Sequence, residues 1–387
     1  MAGEVRNINQ QDLEKLIKSD SLFLESIILK ESGKYEEAFN VIKKAYDTDS
    51  TSSSTLAEIS NYYIIFKHYS LAIDALKKAM LNSPEIVDYK IALAELYYNI
   101  SNYSEAATIY EELIAENPRK DELLIILIDI YTKQREHEKA INSLNTLENN
   151  TGINEVLSIH KARLYISLGK KENAIEEFIK VCEKFPDNAD AFILCGELYA
   201  EIKQYNLALS MLQNGFLKVQ ENNKILSSVI LGQTGDIYHI LGENEKAYEN
   251  YEKALKYNEN NIVVLNNYAY FLCLEKQDLD RAEKMIVKCV SAQPTNSTYL
   301  DTYAWIFFQK GNYQRARLYI ENAITNIRED NAEIFDHYGD ILFKLDKKEQ
   351  AVEQWQKALK QKLNSGETDT VTITRKITDK TFYETTE

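Results

Sequence analysis

Alanine recurs along this chain at a nearly constant interval. The first six anchor alanines are 34 residues apart, and the later steps are 39, 35, 34 and 35 residues: Ala38, Ala72, Ala106, Ala140, Ala174, Ala208, Ala247, Ala282, Ala316 and Ala351. A period of this length is typical of arrays built from one repeated supersecondary unit. The ten anchors therefore predict ten units.

Other residue types keep register with the anchors. Tyrosine stands nine residues before six successive anchors, glycine stands five before four of them, and all four prolines stand twelve after an anchor. A glycine at that place supplies a left-handed helix end. The prolines fall after the predicted second helix, where the missing N–H costs little stability and the ring prevents the helix from continuing. The pattern predicts two helices joined by a tight turn.

The sizes of the residues indicate how these helices pack. The anchor alanine lets two helix backbones approach closely, and a large residue follows four positions later in every unit: Ile42, Leu76, Tyr110, Leu144, Phe178, Leu212, Tyr251, Ile286, Ile320 and Trp355. These large side chains are expected to fill the space between neighbouring hairpins. Since one hairpin cannot bury its apolar face alone, stability must come from stacking.

The period and the phase of these residues resemble those of the tetratricopeptide-repeat (TPR) family over residues 19–362. The family's usual Trp near the start of the first helix is replaced by Leu or Phe. The resemblance implies an all-α, right-handed superhelical solenoid of about ten helical hairpins. It also implies a protein that binds protein partners.

Departures from the repeat suggest the domain organisation. We expect a leader with a lead-in helix capped by Asn9 over 1–18, hairpins one to six over 19–219, hairpins seven to ten over 220–362, and a capping segment or tail over 363–387. Five extra residues around Glu221 form a longer helix or a loop. One extra residue lengthens the turn at Gln277-Asp278-Leu279-Asp280. The β-branched run Thr370–Thr374 disfavours helix, although part of the tail should dock as a cap.

Three segments near the C-terminus resemble exported TPR proteins of Gram-negative bacterial envelopes. They are Asn266–Phe271, Leu300–Trp305 and His337–Asp340, the last followed by Trp355. The tail from Arg375 to Glu384 is also similar to the way many of those chains end. This narrower resemblance implies a scaffold or assembly factor in the periplasm or at the outer membrane, often lipid-anchored. The opening Met1-Ala2-Gly3 is either native or a leader that replaces a removed signal or lipid anchor. A cytosolic scaffold and an enzyme-associated module are the alternatives.

Composition excludes several classes of function. The chain has 45 Lys and Arg against 60 Asp and Glu, a net charge of −15, and no basic stripe, so nucleic-acid binding is not expected. No run of 18 apolar residues occurs, so no transmembrane segment is expected. Cys182, Cys195, Cys273 and Cys289 have no metal or redox spacing. We expect all four to be buried thiols.

The search for chemistry gives no enzyme motif. The five histidines lie on five different hairpins, and no nucleophile elbow, HExxH or Walker loop occurs. Asp336, His337 and Asp340 could form a metal or acid–base cluster but are better interpreted as a solvated helix face. Cys273 on a first helix has no identifiable base. The prediction is a protein that is not an enzyme and that holds no cofactor and no metal.

The concave face formed by the first helices is the expected partner surface. Hairpins three to six present an isoleucine stripe (Ile91, Ile125, Ile159 and Ile193), which could equally be packing between helices. Hairpins eight to ten present aromatic residues among amides and acids, and these form the candidate site for a protein or peptide partner: Tyr270, Trp305, Phe308, Phe343, Asn266, Asn267, Asp301 and Asp336. The aromatic residues could instead be partly core. The acidic residues among these candidates disfavour a carboxylate clamp, the TPR site that grips the acidic C-termini of heat-shock chaperones.

Overall fold

A computed structural model describes residues 10–117, 120–220, 222–327 and 331–383. These residues form 21 α-helices and contain no strand. The predicted cap Asn9 and the inserted residue Glu221 lie outside the described ranges. Among the described helices, none is both long enough and apolar enough to cross a membrane.

The chain divides into two compact units, Met1–Glu177 and Phe178–Glu387. The helices of the first unit are α1 (Gln10–Glu31), α2 (Tyr35–Thr48), α3 (Ser53–Ile65), α4 (Tyr69–Asn82), α5 (Val87–Asn99), α6 (Tyr103–Glu116), α7 (Asp121–Lys133), α8 (His137–Thr151) and α9 (Glu155–Ser167). Helix α10 (Lys171–Lys184) contributes to both units.

The second unit continues the same alternation. Its helices are α11 (Ala189–Glu201), α12 (Tyr205–Val219), α13 (Lys224–Ile240), α14 (Asn244–Tyr257), α15 (Ile262–Leu274), α16 (Leu279–Ala292), α17 (Ser297–Gln309), α18 (Tyr313–Thr325), α19 (Ala332–Lys344), α20 (Lys348–Ser365) and α21 (Val371–Asp379). Hairpin 1 is α1 with α2, and the count runs to hairpin 10, which is α19 with α20. The predicted all-α array of ten hairpins is confirmed.

Close packing inside each hairpin follows the predicted residue sizes. All ten anchor alanines are fully buried, and so are the large residues four positions later, to within 2%. Opposite these large residues the first helix carries small ones. A Cβ added at Gly235 would lie 2.6 Å from Cε1 of Tyr251, and one added at Gly339 would overlap the Trp355 indole. The hairpins are therefore closed by paired small and large residues.

The turns within hairpins share one backbone geometry. Gly33, Gly169, Gly242 and Gly311 adopt the predicted left-handed conformation, with φ between 71° and 76°. After such a residue the next N–H bonds back to the carbonyl five residues earlier, as Glu243 N does to Tyr238 O at 2.9 Å. This is the Schellman arrangement that ends a helix. The tyrosine of the repeat thus supplies the accepting carbonyl.

The two insertions in the repeat take different structures, one as helix and the other as part of a turn. Helix α13 has 17 residues where most first helices have 13, and the additional residues extend it at its N-terminus. The insertion is therefore largely an extra helical turn. The extra residue of hairpin 8 lies in the turn, where Asp278 accepts a hydrogen bond from Arg281 N at 3.2 Å and caps α16.

The two ends differ from the sequence expectation in secondary structure. The lead-in helix and the first helix of hairpin 1 form one 22-residue helix, α1. The β-branched run that disfavours helix lies mostly inside helix α21, since Ile373 and Lys376 are buried against hairpin 10. The expectation of no helix there was wrong because tertiary packing outweighs local propensity. The expected docking of the tail is observed.

Candidate functional site

Helix α17 carries two of the predicted aromatic residues into the core. The Trp305 indole lies between two rings, with its centroid 4.4 Å from Phe308 and 4.0 Å from His337, and it is 8% exposed. Phe308 is also buried and contacts the ring of Phe382 at 5.9 Å. Such stacked rings stabilise the unit beyond their buried area.

A buried ion pair lies beside this stack. Nδ1 of His337 is 2.9 Å from Oδ1 of Asp301, and both side chains are more than nine-tenths buried. Burial lowers the pKa of His337, but the Asp301 carboxylate, helped by Glu333 and Asp336, raises it to about 9. Burial raises the pKa of the Asp301 carboxyl as well, and His337 opposes that rise. The pair therefore holds a proton more tightly than a free imidazole does.

Helix α21 adds a second buried charge cluster. The fully buried Nζ of Lys376 donates to Asp336 at 2.9 Å and to Asp340 at 2.8 Å, and Trp355 Nε1 donates to the other Asp340 oxygen at 2.9 Å. Burial raises the pKa of Asp340 to about 7, although the Lys376 ammonium opposes that shift. The C-terminal helix is thus held to α19 by charge as well as by apolar packing.

A partly open cavity of about 440 Å³ lies beside these clusters, within the second unit. Tyr270 and Trp305 provide aromatic lining, Phe382 adds a ring from the C-terminal segment, and Glu333 accepts a hydrogen bond from the Tyr270 hydroxyl. The remaining charged lining comes from Asp336, His337, Asp340, Lys362 and Glu367. A volume in this range suits one or two large side chains.

The structure brings only part of the predicted site to this cavity. Tyr270, Trp305 and Asp336 line it. Phe343 is half-buried and packs near Trp355, with ring centroids 6.1 Å apart. The predicted amides lie in a separate polar network, in which Asn266 donates to Asn267 at 3.2 Å and Asn267 donates to Asp236 at 3.1 Å.

Burial changes the interpretation of four predicted residues. Asn266, Asp301, Trp305 and Phe308 are each at least nine-tenths buried. Such side chains act mainly by shaping the core, which was the alternative considered for the aromatic residues. Their role in partner binding stays a prediction. The other four predicted residues, Asn267, Tyr270, Asp336 and Phe343, are half-buried.

One sequence interpretation needs correction. Asp336, His337 and Asp340 do not form a solvated face, because His337 and Asp340 are buried in ion pairs. Cys273 is fully buried, and burial raises the pKa of its thiol. All four cysteines are free and buried, as expected. In the described ranges no three His, Cys, Asp or Glu side chains are grouped as metal ligands.

Several cavity residues were not predicted from the sequence. Lys362 and Glu367 form an ion pair at 2.7 Å near the end of α20, and Phe382 reaches the cavity from the C-terminal segment. These residues lie outside the repeat register, so periodicity does not mark them. The apolar spacing of Ile373 and Ile377 around Lys376 was the available signal for a docking helix.

The isoleucine stripe of hairpins three to six is only partly accessible. Ile125 is exposed and lines a shallow cavity with Glu95, Tyr98 and Asp129. Ile91 and Ile159 are half-buried, and Ile193 is buried. Within that cavity Tyr98 donates to Asp129 at 2.6 Å and Lys133 pairs with the same carboxylate. Some residues of the stripe therefore pack between helices, and Ile125 remains available at the surface.

Comparison with known families agrees with the repeat geometry. Residues 68–149 and 158–188 match models of the tetratricopeptide repeat, and residues 230–334 match the TPR domain of the cytochrome c-type biogenesis protein H. The chain is a tetratricopeptide-repeat protein. The TPR hairpins supply the fold, and the cavity is formed by hairpins 8 to 10 with the C-terminal segment.

The chain is similar to proteins of an archaeon and of an insect. A TPR repeat-containing protein of Methanocaldococcus jannaschii is 21% identical over 84% of this chain, and the BBSome complex member BBS4 homolog of Drosophila melanogaster is 24% identical over 89%. The matches span 59% and 65% of those relatives' own lengths.

Solved structures with similar folds were also found. The Cut9–Hcn1 hetero-tetramer of the APC/C has 11% identity and a TM-score of 0.49, covering 96% of this chain and 79% of that one. Yeast Tom70 has 14% identity and a TM-score of 0.41, covering 94% and 92%.

Proposed function

We propose that this TPR protein is a non-catalytic adaptor that binds a segment of a protein partner in the cavity of hairpins 8 to 10. The observation that carries the proposal is the cavity of about 440 Å³ with aromatic walls and a carboxylate rim. Pockets of this kind hold anchor side chains of a bound segment. The TPR fold itself supports a protein partner rather than a small substrate.

The charge pattern around the cavity suits binding. Asp301 is paired with His337, Asp336 and Asp340 are paired with Lys376, and Glu367 is paired with Lys362. Each of these pairs joins neighbouring helices or the end of α20 to the segment after it, so the pairs serve to hold the cavity walls in place. A cavity with walls fixed in this way supports a binding role.

The cavity also favours a particular kind of segment. Glu333, which accepts a hydrogen bond from the Tyr270 hydroxyl, lies in the cavity wall together with Asp336. The half-exposed Glu333 and the nearby Asp336 favour a segment with Lys or Arg beside its apolar anchor.

We further propose an accessory or assembly role in a bacterial envelope complex. Its support is the match of residues 230–334 to the cytochrome c-type biogenesis protein H TPR domain. A periplasmic or outer-membrane-associated location, with a lipid anchor, belongs to this proposal. The alternative is a cytosolic scaffold, and fractionation of cells that express the full-length gene at its native level distinguishes the two.

The adaptor proposal is tested with Tyr270→Ala. Proteins captured by the wild-type chain are identified by mass spectrometry, and the affinity of the purified partner is then measured for each variant. We expect Tyr270→Ala to weaken binding at least tenfold, since truncating an aromatic anchor commonly costs about 2 kcal/mol. The melting temperature should change little, because the ring is only half-buried.

Tyr69→Ala is the matched control, because Tyr69 is exposed on hairpin 2. It should bind the partner as the wild type does. Equal affinity of the Tyr270 variant and the wild type would contradict the cavity assignment. Trp305→Ala is not a useful probe, since loss of a buried indole costs about 3–5 kcal/mol of stability.

A further inference from the structure

Helix α1 exposes a row of large apolar side chains. Leu13, Ile17, Leu24 and Ile28 are spaced by 4, 7 and 4 residues, which places them on one side of a helix. Leu24 is 60% exposed and Ile28 is 67% exposed. A contiguous apolar helix face of this length commonly marks a contact surface.

The repeat itself shows what such a face does elsewhere in the chain. Ile28 stands ten residues before its anchor, and in hairpins 2 to 7, 9 and 10 the equivalent residue is at most 5% exposed: Tyr62, Leu96, Ile130, Leu164, Leu198, Ile237, Ile306 and Ile341. Tyr62, for example, packs with Ile42 and Ala45 of α2. The covering element is the second helix of the preceding hairpin.

The face on α1 is therefore the helix-stacking face of hairpin 1. It is longer than its equivalents, because α1 has 22 residues where most first helices have 13, and Leu13 and Ile17 lie on the extension. A helix is the element that fits this surface, since helices cover the same position in the later hairpins.

The charges around the row define the chemistry of that helix. At about 100° per residue, Asp20 and Glu31 fall inside the row and Glu14 and Glu25 border it. Lys15 and Lys18 of α1 lie more than about 100° around the helix from the centre of the apolar row. Lys30 forms an ion pair with Glu58 at 2.5 Å. The surface is apolar and acidic.

We propose that this face of α1 binds an amphipathic helix of a partner protein that presents apolar residues at matching spacing and Lys or Arg towards Asp20 and Glu31. A second copy fits less well, because the chain carries a net charge of −15 and would bring its own acidic row to the contact. The surface is separate from the cavity of hairpins 8 to 10 and does not depend on it.

The test uses two synthetic helical peptides as probes. Both carry Leu at 4, 7 and 4 spacing, and they differ only in Lys or Glu at the flanking positions. Fluorescence anisotropy is expected to show at least tenfold tighter binding of the Lys peptide, with a preference that weakens at high salt. Equal binding of the two peptides, or no binding of either, would overturn the proposal.

Variants locate the binding surface. Leu24→Lys with Ile28→Lys should reduce binding of the Lys peptide at least tenfold and leave the circular dichroism spectrum unchanged, because both side chains are exposed. Leu318→Lys is the matched control, since Leu318 is 65% exposed on α18, and it should bind as the wild type does. Undiminished binding by the α1 variant would overturn the assignment.

Two further measurements separate the other occupants. Sedimentation that reveals a dimer in the wild type and a monomer in the α1 variant would identify a second copy and overturn the proposal. Binding to phosphatidylcholine vesicles that is lost in the same variant would identify a lipid surface and overturn it as well. A monomer without vesicle binding, together with peptide binding, supports the partner helix.

Discussion

At the scale of single residues, the turns within hairpins require a left-handed backbone conformation at one position, and glycine marks that position in only some of them. Glycine occupies the left-handed position in four hairpins, and the structure places Lys67, Ser101, Arg135, Lys203 and Asp346 at the same position with φ near 60°. A side chain there costs about 1–2 kcal/mol relative to glycine. Glycine therefore identified four turns, and the repeat register was needed to find the others.

Lys203→Gly should stabilise the protein. The change removes the left-handed strain at an exposed position, offset in part by the greater freedom that glycine gives the unfolded chain. We expect a net gain of about 0.5–1 kcal/mol, measured as a shift of the urea midpoint. Lys78→Gly, in the middle of α4, is the control and should lose about 0.5–1 kcal/mol. A loss with Lys203→Gly would contradict the strain argument.

His337 should make stability depend on pH. Its folded pKa of about 9 lies above the unfolded value near 6.5, so the folded state binds the proton more tightly. The resulting stabilisation is fully present below pH 6.5 and is lost as pH rises through 9. Urea midpoints of the wild type should fall between about pH 8 and 9.5. This range lies above the titration of Asp340, whose pKa is about 7.

His337→Gln should flatten this pH dependence, because the group that releases the proton is gone. His68→Gln is the matched control, since His68 is exposed in the turn between the two helices of hairpin 2, and it should keep the wild-type slope. A His337 variant with an unchanged slope would show that another group carries the titration.

At the scale of elements, α21 shows where sequence reasoning stops. The hairpins were predictable because the same pair of residue sizes occurs ten times. A small anchor residue such as Ala208 is followed four positions later by a large residue such as Leu212. The tail occurs once, so no register marks Lys376, and a fully buried lysine is rarely expected from sequence. For the same reason, the burial of Trp305 was not predictable, because it depends on its stacking against Phe308 and His337.

Removing the Lys376 charge should strongly destabilise the C-terminal cap. Lys376→Met leaves Asp336 and Asp340 without their buried cation, and breaking such a pair costs about 3–5 kcal/mol. Hydrogen exchange should show early loss of protection in α20 and α21. Lys360→Met, on the exposed side of α20, should change stability by less than about 0.5 kcal/mol.

A double variant separates charge from packing. Adding Asp340→Asn to Lys376→Met removes one unpaired carboxylate while keeping an acceptor for Trp355 Nε1. It should recover part of the lost stability, so the two changes should not be additive. Additive losses would mean that Lys376 contributes through its apolar stem alone.

At the scale of the whole molecule, the array should respond locally to damage. Stability in repeat proteins is close to a sum over units and their nearest neighbours. The two compact units divide after Glu177. The domain boundary predicted near residue 220 stays a prediction, to be checked by limited proteolysis at residues 220–227.

Ala208→Arg tests this locality. Ala208 is fully buried where α11 and α12 meet, so a large charged side chain would overpack the contact and cost about 1–3 kcal/mol or more. Hydrogen exchange should show lost protection confined to hairpins five to seven. A uniform loss along the chain would mean that the array unfolds as a single cooperative unit. Ala106→Arg is the matched probe, because Ala106 is the fully buried anchor alanine of hairpin 3, and the loss of protection should then centre on that hairpin.

The four buried cysteines have a practical consequence for spectroscopy. Burial raises the pKa of Cys182 and Cys195 to about 12 and that of Cys289 to about 11. Thiolates are the reactive form, so maleimides should modify these residues slowly in the native protein. A cysteine introduced at an exposed site such as Leu318 can therefore take a fluorophore selectively. Distances between labelled hairpins then become measurable without first removing any native cysteine.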